Sequence, residues 1–181
     1  NEKAPKKRGT DLALLDCLTC DKCIPVCPNN ANFTLGVAAG EHETQWIQWG
    51  ENGLNLTEGS TLVVSKRHQI GTLADLCNSC GQCDPWCPED GGPYLVKANL
   101  FLSRQAFEEQ PDRHGFYLSK DRSRLEWRRQ DGAVFALVHD PAGERLETPE
   151  GSLRFEGDTV VAHVGAGAVD THVLKTLRLY K

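Results

Sequence analysis

Short runs of alternating apolar and polar residues, not long helical stripes, make up most of this chain. The two-residue period of half-buried strands occurs at Asn32–Leu35, Thr44–Trp49, Gly53–Leu56 and Thr61–Ser65. It returns at Gly115–Ser119, Leu125–Arg128, Ala133–His139, Ser152–Phe155, Thr159–Val164 and Val173–Leu179. Glycines at 36, 40, 50, 53, 59 and 71 punctuate the first group. Asp140-Pro141-Ala142-Gly143 has the chemistry of a turn. The pattern predicts one helix, Arg104–Glu109, which Ser103 can cap and Pro111 stops. Trp46 and Trp49 fall on opposite faces of their strand, which leaves at least one of them free to face solvent.

Composition narrows the picture. The chain has 181 residues and a net charge of −5, room for one real core or two small ones. The longest strictly apolar run is Ala133–Val138, far short of the ~20 residues a membrane helix needs. No basic segment followed by an apolar one opens the chain, so no signal peptide is expected, and the reading is cytoplasmic. There is no methionine, so the chain is expected to be trimmed or a segment of something longer. Charge is uneven. Lys3, Lys6, Lys7 and Arg8 make residues 1–10 basic and read as a solvated linker or leader, whereas residues 11–100 are acidic, which argues against a phosphate backbone as partner there.

The eight cysteines form two strings of the same pattern, 60 residues apart: Cys17-x2-Cys20-x2-Cys23-x3-Cys27-Pro28 and Cys77-x2-Cys80-x2-Cys83-x3-Cys87-Pro88. Three uses compete. Disulfides within such short strings are strained and have no secretory context. Zinc modules normally separate two CxxC pairs by a dozen or more residues. Iron–sulfur ligation uses this spacing, twice repeated, and is the reading we carry forward.

The double string resembles bacterial two-[4Fe–4S] ferredoxins. That resemblance implies crossed ligation: cluster I on Cys17, Cys20, Cys23 and Cys87, and cluster II on Cys77, Cys80, Cys83 and Cys27. Pro28 and Pro88 would set the chain direction after the crossing ligand, and Gly81 would suit a crowded turn. Ile24, Pro25, Val26, Pro85 and Trp86 are the candidate apolar cover. The similarity continues through Val26-Cys27-Pro28-Asn29-Asn30-Ala31-Asn32, Pro93-Tyr94, Lys97, Leu100-Phe101 and Gly115-Phe116. These strings look like the C-terminal ferredoxin region of the family named for a selenate reductase FAD-binding subunit, flavoproteins similar in part to the glutamate synthase small subunit. The resemblance implies electron transfer beside a flavoprotein domain or subunit and a second redox subunit. FAD and NAD(P)H would then bind only in a partner or upstream domain.

The remaining features carry less. Gly165-Ala166-Gly167-Ala168-Val169-Asp170 lacks the third glycine of a dinucleotide loop, and the six histidines have no metal-ligand spacing. The expected fold class is α+β: a ferredoxin-like two-cluster core at 11–100 with an enlarged inter-motif hairpin, and a β-rich C-terminal extension at 101–181. No catalytic residue or substrate site is expected, and no nucleic-acid or membrane partner. The alternative function is a cluster-stabilised structural or assembly domain with no relay role.

Overall fold

The computed structural model describes residues 3–181. In chain order its elements are β1 (Asn32–Gly36), β2 (Gly40–Gly50), β3 (Gly53–Val64), β4 (His68–Leu73), α1 (Pro93–Val96), β5 (Ala98–Phe101), α2 (Arg104–Glu109) and β6 (Gly115–Leu118). They continue as β7 (Arg124–Arg128), β8 (Val134–Asp140), β9 (Gly143–Thr148), β10 (Gly151–Glu156), β11 (Thr159–Gly165), β12 (Gly167–Asp170) and α3 (His172–Tyr180). Strand accounts for 45% of the chain and helix for 11%. This overturns the α+β ferredoxin-like expectation: the protein is mostly β-sheet, and two of the three helices among the described residues span only four and six residues. The physical reason lies in the pattern itself. Residues that alternate with period two and are punctuated by glycine satisfy their backbone in ladders, and few stretches offer the 3.6-residue stripe a helix needs.

The chain forms two compact units, one from residues 1–40 and 64–109, the other from 41–63 and 110–181. In the first, β4 pairs antiparallel with β1 and parallel with β5. Strand β4 is buried along most of its length and carries Gly71, where a Cβ would sit 2.7 Å from Leu35 and 2.9 Å from Phe33. Ser103 does cap α2: its Oγ accepts a hydrogen bond from the Ala106 N–H at 3.0 Å.

In the second unit, β6 through β11 follow one another as antiparallel neighbours, and β12, β2 and β3 form a separate three-stranded sheet. The register stacks Leu118, Leu125, Leu137, Leu146 and Leu153 across five strands. Leu137, Leu146 and Leu153 are fully buried. Phe116, Trp127 and Phe135 form a second row two residues along on the same face. Helix α3 packs on β7 and β8 with Leu174 and Leu177 buried, and the Tyr180 ring lies 4.4 Å from that of Phe116. Residues 173–179, expected as a strand, are therefore helical. Val173, Leu174 and Leu177 are buried at helical spacing, and a short apolar segment takes the period its packing partners offer. Trp49 is buried and Trp46 is 47% exposed. Among the described residues no helix is long and apolar enough to cross a membrane.

His172 opens α3. Burial holds its pKa below the ordinary value; Asp170 opposes this and Arg129 adds to it. His139 is lowered as well, again first by burial. A histidine kept neutral by the fold contributes stability above its unfolded pKa of ~6.5, and that contribution is lost as pH falls toward the folded value. The urea midpoint should therefore drop between pH 7 and pH 5, and drop less in His172→Gln. An unchanged pH dependence in the variant would contradict this assignment.

Candidate metal centre

All eight cysteines lie in the first unit as free thiols. The β1–β4 ladder places them. Asn32, just after the first string, faces Thr72, just before the second, and Leu73 N–H donates to the Ala31 carbonyl at 2.8 Å. The exit of one cysteine loop and the entry of the other thus share one end of the sheet. Strand β5 returns from the second loop with Asn99 opposite Thr72.

The two loops are wound alike. Thr19 and Ser79 have φ of 52° and 57°, and Asp21 and Gly81 have 57° and 73°. Ile24 N–H donates to the Asp21 carbonyl and Cys27 N–H to that of Ile24; sixty residues on, Asp84 N–H donates to Gly81 and Cys87 N–H to Asp84, all within 3.0–3.2 Å. Left-handed conformations cost an L-residue about 1–2 kcal/mol each and gather where function over-determines the backbone. Here they turn N–H groups toward sulfur, as in an anion-binding nest. Thr19 N–H donates to Cys17 Sγ and Ala31 N–H to Cys27 Sγ, each at 3.3 Å. The φ of Gly81 favours glycine, and crowding does not, since a Cβ there would be 3.7 Å from the Tyr94 hydroxyl.

The thiols group across the two strings. Cys27, Cys77, Cys80 and Cys83 line one pocket with Asn32, Gly81 and Tyr94, about 280 Å³ of empty space that includes open solvent. Cys17, then Cys83, Cys20 and Cys87, lie near enough to Cys23 to act on its charge. Ile70, Ile24, Val26 and Tyr94 cover Cys17, Cys23 and Cys83. Of the candidate cover, Ile24 and Val26 pack on these cysteines, Pro25 and Pro85 are exposed and Trp86 is half-buried, and β4 and α1 add Ile70 and Tyr94.

Burial pushes the Cys23 thiol up to about 12, and the neighbouring sulfurs, Cys17 first, add to the effect. Burial also raises Cys83, against hydrogen bonds from the Tyr94 and Cys83 backbone and from the Asn32 side chain. Cys87 is raised by burial too, against the Glu89 N–H and the charge of Lys7. Thiols held this way stay protonated at neutral pH, and a metal bound there would have to release their protons.

Several supporting residues reach the cysteine loops from elsewhere in the chain. Lys7 donates to Asp84 Oδ1 at 3.0 Å and to the Glu89 carbonyl at 2.9 Å, holding residues 7–12 against the second loop, where Arg8 N–H also reaches the Pro88 carbonyl. Fully buried Lys97 donates to the Ala13 carbonyl at 3.2 Å. Gln69, 1% exposed, accepts from Cys17 N–H at 3.4 Å, and its Nε2 has no partner. A buried amide nitrogen left without an acceptor beside Cys17 fits a site that would hold an anionic sulfur-bearing group. Among the described residues no group of three or more His, Cys, Asp or Glu is arranged to hold a metal ion.

No protein-family model and no solved structure matches the chain. Over 136 residues, 75% of this chain, it is 28% identical to "Putative oxidoreductase YgfK" of Escherichia coli K12 and to the protein of the same name in Escherichia coli O157:H7. The match covers 10% of each relative, so the chain spans about a tenth of their length. The chain is related to proteins named as oxidoreductases. Neither name specifies a ferredoxin module or a selenate reductase.

Proposed function

We propose that this chain carries electrons through two [4Fe–4S] clusters, one held by Cys17, Cys20, Cys23 and Cys87, the other by Cys77, Cys80, Cys83 and Cys27. It would do so within a flavin- and NAD(P)H-dependent oxidoreductase. The observation that carries the reading is the cysteine string repeated 60 residues apart and wound with the same left-handed positions, with Cys27 lining one pocket beside Cys77, Cys80 and Cys83. In a cubane each thiolate would sit on a separate iron corner.

When bound, such clusters supply one-electron chemistry. The chain's own work is to hold eight thiolates, offset their charge with the N–H groups of Thr19, Ala31, Glu89 and Tyr94, and keep water off Cys17, Cys23 and Cys83 with Ile24, Val26, Ile70 and Tyr94. A pyridine nucleotide gives two electrons as hydride, so a flavin in a partner or upstream domain is the converter, and a second redox subunit is the acceptor. The relatives' name supports a redox role.

The test is reversibility. The chain, reconstituted anaerobically with iron and sulfide, should bleach with dithionite and recover its colour on reoxidation through repeated cycles with its iron retained. Iron shed on the first reduction would point instead to a purely structural site.

A further inference from the structure

Gln69 lies near the start of β4, opposite Leu35 of β1, and is 1% exposed. Its Oε1 accepts from the Cys17 N–H at 3.4 Å. Its Nε2, equally cut off from water, has no hydrogen-bond partner among the described residues. Both ends of this contact are fixed. The β1–β4 ladder holds the backbone of Gln69, and the segment entering Cys17 is anchored by buried Leu12 and Leu15 and by Lys97, which donates to the Ala13 carbonyl at 3.2 Å. Glutamine is a costly residue for such a place, since a methionine would fill similar space with no polar nitrogen to desolvate. The Cys17 N–H accounts for the oxygen, because a donor there requires that Oε1 and not Nε2 faces it. No described residue accounts for the nitrogen. It is bonded to the same carbon as Oε1, so it too lies beside Cys17.

We propose that Gln69 serves the centre twice: Oε1 positions Cys17, and Nε2 donates a hydrogen bond to the anionic sulfur held by the set containing Cys17. The inference rests on the cluster-binding reading above. The nitrogen finds its partner only when the cysteines are loaded, because a thiol sulfur accepts weakly whereas an ionised sulfur accepts strongly. A donor aimed at sulfur stabilises the more negative, reduced state, so this centre gains a more positive potential than it would have without Gln69.

The test uses the reconstituted chain, grown with glutamine carrying heavy nitrogen in its side-chain amide, reduced with dithionite and examined by pulsed electron paramagnetic resonance. The wild-type spectrum should show a coupling between the reduced centre and the labelled nitrogen. That coupling should vanish in Gln69→Met and persist in Gln82→Met, since Gln82 is exposed in the second string. In a redox titration with iron content measured alongside, Gln69→Met should move one of the two centres to more negative potential and leave the other in place. A glutamine that only holds the Cys17 N–H gives no coupling in any chain, and that result overturns the proposal. Coupling that survives in Gln69→Met also overturns it, as do unchanged potentials at full iron content. If Gln69→Met fails to fold, the other two spectra decide, and loss of the coupling in Gln82→Met counts against Gln69. A wild-type chain that takes up no iron and sulfide would instead overturn the cluster-binding reading, before the variants are compared.

Discussion

Replacing Cys27 with serine should remove or alter the centre held by Cys77, Cys80 and Cys83, although Cys27 belongs to the other string. Iron content should fall toward half, a loss of about four of eight irons. The grouping of Cys27 with the second set in one pocket motivates the expectation, and Cys87, near Cys17 and Cys23, should behave as its mirror image. The cleanest measurement uses a background in which Cys17, Cys20 and Cys23 are all alanine. The one remaining centre should then be lost with Cys27→Ser and kept with Cys87→Ser. The opposite result would assign each fourth cysteine to its own string. Removing a ligand leaves an open iron corner and an uncompensated charge in a partly buried site, so the effect is large.

Leu146→Ala should destabilise the second unit by roughly 2–5 kcal/mol, the range for emptying a fully buried leucine site. Leu146 sits mid-row between Leu137 and Leu153, all three without exposed surface, and the antiparallel partners on both sides hold it in place. The strands are hydrogen-bonded on both sides of Leu146, so the cavity can collapse little. Urea unfolding followed by tryptophan fluorescence measures the change, since Trp127 lies on the same sheet face. A loss below about 1 kcal/mol would mean that the leucine row is not the core of this unit.

Much of the strand pattern was legible, and the misses have physical causes. Strand β1 begins at Asn32 as expected, and α2 has the expected bounds, because alternation and an N-cap are local signals. The pattern over residues 53–65 predicts two strands broken at Gly59. They form one, β3, because Gly59 is there for close approach: a Cβ would lie 2.8 Å from the Thr44 carbonyl carbon. Strand β4 was missed because it is buried on both faces and so does not alternate. Gly167–Asp170, read as part of a broken dinucleotide loop, pairs with β2 as β12. At the centre, the cysteine spacing is plain in the sequence, and Asn32 and Lys97 fall in the strings that carry the resemblance, but the partners of Asn32, Gln69, Lys7 and Lys97 lie 40 to 84 residues away, and no local pattern marks them.

The most direct measurement is elemental: iron, acid-labile sulfide and zinc per chain after anaerobic purification or reconstitution. Two four-iron clusters require about eight iron and eight sulfide per molecule with negligible zinc. Two zinc per chain and no sulfide would contradict the central claim.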